Sequence, residues 1–407
     1  MKTHDVVIVN AVRTPFGKFD GILRSVDSIS LGVTVLKELM ARTGLDPREV
    51  NEVYYGTCIP AEYAIYTNVP ARQITLLAGF PEESISLTID RACCSSMTAL
   101  RMGYNAIKAG TAEVVVSAGA ENMSNAPLMA PASKVRWGTR LGPLELEDVL
   151  FELGYGRKGF APVATDAGEV AVEYGVSREM QDEWAAESHK KWYKAHEAGK
   201  FKVGEELMSL EIPQRRGEPV VLDRDESPRD NITLEKMAKL KTIYNNPTVT
   251  AGNAPGLNSG ASAMMIMSRR KADELGFKPL ATIDACECAA GRPKYMDCVP
   301  AETIKKMLAR TEKTIDDVDL IEINEAFAAV TLVSLKMMAK NDPEKFEALK
   351  AKTNVNGGAI AIGHPVGASG ARITMTMMYE LIRRGGGTGV AAICGGLSQG
   401  ESIMITV

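Results

Sequence analysis

The chain has 407 residues, of which 45% are hydrophobic and 24% charged, and its formal net charge is −4. This composition is ordinary for a globular protein and provides no bulk positive charge for binding nucleic acid or an anionic membrane. There is no run of about 18 apolar residues, so no transmembrane helix is expected. The first residues also lack the basic-then-apolar pattern of a secretory signal.

The first predicted elements alternate between strands and helices. Val6 to Val9 is an apolar, strand-like run, and LGVTVLKELMART (31–43) has the pattern of a helix. Ser28 or Ser30 can cap that helix, and Gly44 follows its last residue. The next segment, NEVYYGTCI (51–59), is typical of a buried strand. This alternation predicts an α/β fold.

Two parts of the chain share a plan with two later parts. DPREVNEVYYGT (46–57) and TIDDVDLIEINEA (314–326) each have an acidic turn followed by a β-rich run. The segments 94–122 and 367–398 each open with small residues, continue as a helix, break at a glycine and enter a strand. Two similar α/β halves would explain this plan. Chance similarity between ordinary β-α-β units is the alternative.

Residues 124–250 have a different composition, with many charges and several loops. SREMQDEWAAESHKKWYKAHEAGKF (177–201) predicts an amphipathic helix. Its inner face would consist of Trp184, Ala185, Ser188 and Trp192. We expect His189 and His196 on its solvated face, and a polar loop followed by helix in 214–241.

The chain contains seven cysteines and has the character of a cytosolic protein. We therefore expect a cytoplasmic location and no disulfides. Cys286, Cys288 and Cys298 have part of a metal-site spacing. They lack a second close pair and a nearby histidine, so structural thiols are the preferred interpretation and no metal is expected.

Three positions carry the residue types of thiol chemistry. Cys93, in DRACCSSMTAL, lies at the mouth of a predicted helix, whose unpaired N–H groups favour a thiolate. His364 lies in NVNGGAIAIGHPVGASGAR (354–372), where small residues leave room for a substrate beside the imidazole. Cys394 ends a predicted strand. Each residue alone could be structural, but matching halves would bring the helix starts at Cys93 and His364 together.

These segments resemble the motifs of the thiolase family. CCSSMTALRMG (93–103) resembles the nucleophile block, and NEAFAA (324–329) the Asn-Glu-Ala-Phe motif. Residues 354–372 resemble the Gly-His-Pro block, and CGGLSQG (394–400) the C-terminal cysteine block. AVRTPFGKFDG and TVTAGNAPGLNSGASAM also match, and the blocks follow the family order over essentially the whole chain.

The resemblance implies a thiolase fold with two duplicated αβαβα halves, a five-layered core and an inserted loop domain. We expect the N-terminal half in residues 1–123 and 251–273, the loop domain for CoA binding and oligomer contacts in 124–250, and the C-terminal half in 274–407.

The resemblance also implies reversible cleavage of a 3-ketoacyl-CoA by CoA, with CoA as a substrate and no bound cofactor. Cys93 would be the nucleophile, His364 its base, and Cys394 the acid that protonates the departing enolate. One oxyanion site would use His364 and a water held by Asn324. The other would use the backbone N–H groups of Cys93 and Gly396.

For CoA, the resemblance places Arg229 at the adenine and phosphate end. It implies substrate contacts at Leu257, Pro255, Ala326 and Phe327. The chain departs from the family at Pro255 and Lys236, where serines are expected, and at Pro162 and Val163, where acetoacetyl-CoA thiolases have His-Met. Arg136, Trp137 and Arg140 are additions near the pocket rim or the tetramer loop.

These departures allow a second hypothesis, a bulky aromatic or carboxylated ketoacyl-CoA such as benzoylsuccinyl-CoA. A surface or subunit contact is the alternative explanation of the added residues. A condensing synthase is disfavoured by NEAFA with Cys394, and a non-catalytic lipid-carrier or scaffold relative by the presence of all three reactive residues. A homodimer or homotetramer is expected, and a small zinc-binding accessory subunit is an open possibility.

Overall fold

The computed structural model describes residues 5–137, 141–151, 159–214 and 216–407. Arg140, one of the added residues near the predicted pocket rim, lies outside these ranges. The strands are β1 (Val6–Arg13), β2 (Gly17–Lys18), β3 (Glu52–Gly56), β4 (Ile85–Ile89), β5 (Val114–Asn122), β6 (Leu128–Met129), β7 (Glu147–Asp148), β8 (Leu210–Ile212), β9 (Val220–Leu222), β10 (Asn258–Ser268), β11 (Ala281–Ala290), β12 (Leu320–Ile323), β13 (Thr388–Gly395) and β14 (Gln399–Thr406).

The α-helices of the described residues are α1 (Ser28–Thr43), α2 (Pro60–Ala64), α3 (Pro70–Leu77), α4 (Ser95–Ala109), α5 (Ala132–Val135), α6 (Val163–Glu173), α7 (Arg178–Glu197), α8 (Leu234–Ala238), α9 (Arg269–Glu274), α10 (Val299–Thr311), α11 (Ala328–Ala339), α12 (Pro343–Ala351), α13 (Ala359–Ile362) and α14 (Ser369–Arg384). None of them is both long and apolar enough to span a bilayer.

The main sheet has the strand order β12-β13-β14-β11-β1-β10-β5-β3-β4, and β2 pairs with β10. Its two halves meet where Val6–Ile8 of β1 pairs antiparallel with Ala281–Ile283 of β11. On one side β3 is parallel to β5 and β4, and on the other β12 is parallel to β13. Both sides therefore combine parallel β-α-β units with antiparallel strands, which confirms the α/β prediction.

Helices α4 and α14 lie between the two halves of the sheet. Both contact strands of both halves and also each other. Their apolar residues share one buried core with the inner faces of the strands. Outside this layer, α1 packs on β1, β5 and β10, whereas α10 packs on β11, β13 and β14. The order helix, sheet, helix, sheet, helix is the predicted five-layered core.

The N-termini of α4 and α14 approach each other because small residues occupy the contact. The amide of Ala371 donates to Ser96 Oγ over 3.0 Å. A Cβ on Gly370 would lie 2.6 Å from the backbone nitrogen of Met97, so no larger residue fits without displacing a helix. The loops that precede the two helices are therefore neighbours.

The predicted ends of the repeated helices are confirmed, and one predicted cap is wrong. Gly110 and Gly385 follow α4 and α14 in the left-handed conformation, as Gly44 does after α1. At the start of α1 the cap is Asp27, whose carboxylate accepts the Ser30 N–H over 2.9 Å. Ser28 and Ser30 lie inside the helix. Asp is at least as strong a cap and also complements the positive end of the helix dipole.

Helix α7 has the predicted inner face, because Trp184, Ala185, Ser188 and Trp192 are all buried. The expectation for its histidines is wrong. His189 is buried, and its Nδ1 accepts the Arg229 N–H over 3.1 Å. His196 stacks on Trp192 with ring centroids 4.8 Å apart. The loop around Arg229 covers this part of the helix, which the charged neighbours in sequence do not reveal.

Buried ion pairs attach the segment 201–230 to the first strand. Arg13 donates to Glu206 Oε1 and Asp225 Oδ1, in each case over 2.6 Å. Asp225 also accepts the Trp192 indole N–H over 3.2 Å. Within the stretch predicted as a polar loop, β9 pairs with β8 as a short hairpin. These contacts hold the loop that carries Arg229 against the body of the protein.

Candidate active site

Cys93 is in a tight loop directly before α4. Ala92 has a φ of 50°, and the amides of Cys94 and Ser95 donate to the carbonyls of Arg91 and Ala92 over 3.2 and 3.1 Å. This conformation leaves the Cys93 side chain on the wall of a cavity of about 420 Å³. The cavity lies where the two halves of the protein meet.

His364 faces Cys93 across this cavity. Its Nε2 lies 3.1 Å from Cys93 Sγ, and its backbone N–H donates to Asn258 Oδ1 over 2.8 Å. Gly363, with a φ of 113°, turns the chain immediately before the histidine. The loop opens into α14 five residues later. Cys93 and His364 thus reach each other from the starts of two equivalent helices.

Ser369 determines which ring nitrogen of His364 carries the proton. The Ser369 hydroxyl donates to the Pro365 carbonyl over 2.9 Å, and its Oγ lies 2.6 Å from His364 Nδ1. Because a carbonyl only accepts, the hydroxyl proton points to Pro365, and Oγ accepts from Nδ1–H. Nε2 then has a free lone pair directed at the Cys93 thiol. Sequence reasoning missed this role of Ser369.

Asn324 follows β12 and lies beside the imidazole. Its Nδ2 is 3.5 Å from His364 Nε2, and its backbone N–H donates to the Ala392 carbonyl over 3.0 Å. The next residue, Glu325, is buried and accepts hydrogen bonds from Trp184 Nε1 and Ile360 N–H over 2.9 and 3.0 Å. Glu325 therefore connects the Asn324 loop to α7 and to the loop before His364. The sequence motif contains this residue, but nothing in its spacing reveals these contacts.

Cys394 is fully buried near the end of β13 and lines the same cavity as Cys93 and His364. A Cβ on Gly395 would lie 2.8 Å from Cys94 Sγ, so the strand end approaches the Cys93 loop closely. Burial, and next to it the neighbouring Cys93, raise the pKa of Cys394 well above its usual value. At neutral pH Cys394 is a protonated thiol that can donate.

The resting state of Cys93 and His364 is neutral. Burial raises the pKa of Cys93 to about 12, although its backbone N–H acts in the opposite direction. Burial, followed by the charge of Arg372, lowers the pKa of His364 to about 3. In the free protein, removal from water thus acts against the expected thiolate, and more strongly than the backbone N–H that favours it.

Most of the other predicted site residues lie around the same space. Gly396, Ala326, Phe327 and Leu257 line the catalytic cavity. A second cavity of about 510 Å³ is lined by Arg229, His189 and Asn231 and shares Phe19 and Leu257 with the first. Together they form a track from the surface to Cys93. Pro255 lines neither cavity, although its neighbours Ala254 and Gly256 line the outer one.

The residues that depart from the family pattern have different positions. Val163 lines the catalytic cavity. Lys236 is exposed and donates to the Asn231 carbonyl over 2.9 Å. Trp137, which is 75% exposed, and Arg136 are not among the lining residues. In the described part of the chain, no cluster of three or more His, Cys, Asp or Glu side chains is arranged to hold a metal ion.

Two matching α/β halves, with a thiol and an imidazole facing each other at their seam, define an enzyme that can carry an acyl group on a cysteine. The sequence matches the family models for the thiolase N-terminal domain over residues 6–270 and the thiolase C-terminal domain over residues 277–407. The chain therefore belongs to the thiolase family and is an acyltransferase, and its fold is the predicted thiolase fold.

Individual relatives agree over the full length. The acetyl-CoA acetyltransferase of Cupriavidus necator is 43% identical over 403 residues, which cover 98% of this chain and 99% of the relative. The crystal structure of the Bacillus anthracis acetyl-CoA acetyltransferase has a TM-score of 0.91 at 40% identity, covering 99% of this chain and 98% of that one. The crystal structure of human mitochondrial 3-ketoacyl-CoA thiolase has a TM-score of 0.91 at 35% identity and full coverage of both chains.

The role of Ser369 leads to a test with Ser369→Ala. Without the acceptor for Nδ1–H, the imidazole proton moves to Nε2, and the base for Cys93 is lost. We expect alkylation of Cys93 by iodoacetamide at pH 7, followed by mass spectrometry, to slow about 10–100-fold. Ser334→Ala is the control, because Ser334 is also buried and donates to a carbonyl, that of Asp297, over 2.8 Å. Alkylation of Ser369→Ala at the wild-type rate would contradict the assigned tautomer.

Proposed function

We propose that the protein catalyses reversible thiolytic cleavage of a 3-ketoacyl-CoA by CoA through an acyl-enzyme on Cys93. The observation that carries this proposal is the 3.1 Å contact between Cys93 Sγ and His364 Nε2 in a cavity that Cys394 also lines. A thiol with a base on one side and a second thiol on the other matches the needs of this reaction. Thiolytic cleavage requires one nucleophile and a separate group that moves a proton at the leaving carbon.

In the first half-reaction, His364 Nε2 takes the Cys93 proton as the sulfur attacks the 3-keto carbon. The bond between carbons 2 and 3 then breaks, and its electron pair leaves with the acetyl-CoA part as an enolate. Cys394 donates its proton to carbon 2 of that enolate. The products are acetyl-CoA, a Cys93 thioester, protonated His364 and a Cys394 thiolate, so charge and protons balance.

In the second half-reaction, the Cys394 thiolate takes the proton of the incoming CoA thiol. The CoA sulfur attacks the Cys93 thioester, and the shortened acyl-CoA leaves. His364 returns its proton to Cys93, which restores the neutral resting pair. Both charged groups end the cycle in their neutral forms, which burial favours.

The developing oxyanions need donors on two sides of the cavity. One donor set is the Asn324 side-chain N–H with the protonated Nε2 of His364. The other is the pair of backbone N–H groups of Cys93 and Gly396, whose residues both line the cavity. CoA is a substrate in this scheme, and no resident cofactor takes part.

The outer cavity is suited to the nucleotide end of CoA. Its lining includes the cations Lys18 and Arg229, which suit phosphate groups, together with the carboxylates Glu226 and Asp230, and it joins the catalytic cavity at Leu257. The flexible, uncharged pantetheine part of CoA then extends from the outer cavity to Cys93, past Phe327 and Ala326. Pro255 contributes to the shape of this loop without lining the track.

The catalytic cavity supports an uncharged acyl group larger than acetyl. Its walls include the apolar side chains of Met123, Leu150, Phe151, Val163, Met296 and Val366. Asp148 also lines it, and within the described residues no lysine or arginine does. A carboxylated acyl group such as benzoylsuccinyl is therefore disfavoured by charge, whereas an aromatic group remains a second candidate because Phe151 offers a ring surface.

We further propose a homodimer formed through the β4 edge of the sheet. In the described residues β4 is the last strand at this end, and its Ile85 and Leu87 are 62% and 44% exposed. Exposed apolar side chains on a strand edge promote pairing with another chain, and a second copy offers a matching edge through twofold symmetry.

We also propose a cytosolic setting and a degradative direction for the reaction. All seven cysteines are free, including the three that line the catalytic cavity, Cys58, Cys93 and Cys394. Reduced thiols of this kind are typical of a reducing compartment. The room beyond acetyl in the cavity supports the cleavage of longer ketoacyl chains.

The proposed chemistry is tested by comparing Cys93→Ala with Cys394→Ala. Cys93→Ala should lose thiolysis by at least about 10³-fold and form no acyl adduct on incubation with a 3-ketoacyl-CoA. Cys394→Ala should lose thiolysis to a similar extent but still react with iodoacetamide at Cys93. Wild-type protein that binds acyl-CoA without cleaving any ketoacyl-CoA would favour the non-catalytic carrier.

The acyl preference is tested with acetoacetyl-CoA, 3-ketooctanoyl-CoA, an aryl and a carboxylated 3-ketoacyl-CoA. We expect the highest kcat/KM with the uncharged larger substrates and the lowest with the carboxylated one. Asp148→Asn should raise kcat/KM for the carboxylated substrate alone, by roughly threefold to tenfold. Glu147→Gln is the control, because that carboxylate lies 3.6 Å from Lys134 Nζ and its residue does not line the cavity. Faster cleavage of acetoacetyl-CoA than of any larger substrate would refute the preference.

The dimer is tested with Ile85→Lys/Leu87→Lys. The added charges oppose burial of the β4 edge, so light scattering after size exclusion should give about half the wild-type mass. Val220→Lys, a change at a 41% exposed residue on β9, should leave the mass unchanged. If Ile85→Lys/Leu87→Lys kept the wild-type mass, the proposed dimer through the β4 edge would be refuted.

A further inference from the structure

A buried arginine lies next to the catalytic amide and imidazole, and the mechanism above does not use it. Arg372 is on α14, three residues after Ser369, so both side chains leave the same face of the helix. Its side chain is completely shielded from solvent. The first turn of α14 therefore supplies a hydroxyl to His364 and a guanidinium to Asn324.

The contacts of Arg372 specify the orientation of the Asn324 amide. Arg372 Nη2 donates to Asn324 Oδ1 over 3.5 Å. A guanidinium has donors only, so the Asn324 atom that faces it is the oxygen. On the opposite side, Asn324 Nδ2 lies 3.5 Å from His364 Nε2. The unprotonated Nε2 would repel an amide oxygen at this position, so this side suits the amide NH2 group. Both neighbours therefore require the same rotamer of the amide.

Stability does not account for a charge at this position. Removing an ion from water costs several kcal/mol, which only close and complete pairing offsets. The nearest carboxylate oxygen, Glu322 Oε2, lies 3.6 Å from Arg372 Nη1. Burial raises the pKa of Glu322 to about 8, and the charge of Arg372 acts in the opposite direction. Burial lowers the pKa of Arg372, whereas Glu322 acts in the opposite direction. Arginine keeps its proton in such surroundings because its ordinary pKa is above about 12. An apolar residue of similar size would satisfy the packing alone.

We propose that Arg372 is a positioning residue for the reaction: it holds Asn324 Oδ1 so that the amide N–H faces His364 Nε2 and the oxyanion in the cavity. This inference rests on the proposed function. Without the guanidinium, the amide can rotate and present its oxygen to a developing negative charge, which would repel it. Arg372 contacts no reacting atom in this assignment. It positions the oxyanion donor through Asn324, and its charge also lowers the pKa of His364.

A double-mutant cycle tests the proposal with Arg372→Met, Asn324→Ala and the double variant. The assay is thiolysis of the best ketoacyl-CoA from the panel above. We expect Arg372→Met to lower kcat about 10–100-fold and to change KM less than about threefold, because the amide acts on the transition state. In the Asn324→Ala background, Arg372→Met should change kcat by less than about threefold, since the amide is already absent. If the double variant instead lost kcat by the product of the two single losses, the proposal would be overturned.

Further variants separate positioning from folding. Arg372→Met/Glu322→Gln removes the buried pair together and should show the same loss of kcat as Arg372→Met. Arg372→Lys keeps a donor and a charge and should recover part of kcat. If the methionine variants do not fold, Arg372→Lys decides: a lower kcat with unchanged KM supports the assignment, and an unchanged kcat overturns it.

The failure of this inference can be distinguished from that of the proposed function. Wild-type enzyme and Cys93→Ala are assayed in parallel. Absence of thiolysis by the wild type would refute the proposed function and remove the basis of the assignment. An active wild type with a fully active Arg372→Met would refute only the role of Arg372. We expect Arg372→Met to retain the reaction of Cys93 with iodoacetamide. That result would show that Cys93 and His364 still face each other in the variant.

Discussion

The close crossing of two buried helices is the contact on which the rest of the structure depends. Helices α4 and α14 meet at their N-termini, where Gly370 lies against the backbone of Met97 and Ala371 donates to Ser96. A helix start is also where the chain leaves a loop, so this crossing brings the Cys93 loop and the His364 loop together. The duplicated fold provides the helices in equivalent positions, and the absence of a side chain at Gly370 lets them come close enough for a thiol to contact an imidazole.

Burial determines the electrostatic character of the site that this crossing creates. It raises the pKa values of Cys93 and Cys394 and lowers that of His364, so all three groups are neutral at rest. The same effect raises the pKa of Glu121, which accepts the Gly367 N–H at 3.0 Å, to about 8. In the proposed reaction, charges then develop at the reacting atoms in this buried region. In a low dielectric, preorganised donors act strongly on such charges.

The loops of the site are also held by the middle part of the chain. Glu325, next to Asn324, accepts hydrogen bonds from Trp184 and Ser188 of α7. The same helix carries His189, which accepts the backbone N–H of Arg229 at the outer cavity. One helix therefore contacts both the catalytic loop and the loop that lines the proposed nucleotide site. In the proposed function, this helix keeps the position of a bound CoA in register with the Asn324 amide.

The sequence by itself determined the α/β plan, the repeated helix–strand units with their terminal glycines and the inner face of α7, because these depend on periodicity, local turn chemistry and residue type. It also selected Cys93, His364 and Cys394, which the fold brings to one cavity. It misplaced His189 and the cap of α1, and it predicted a thiolate at Cys93. Only the tertiary structure revealed Ser369, Glu325 and Arg372, whose roles come from contacts between segments far apart in the chain. The tertiary structure also determines the protonation states of Cys93, His364 and Cys394, because burial depends on what packs around a group and not on its neighbours in sequence.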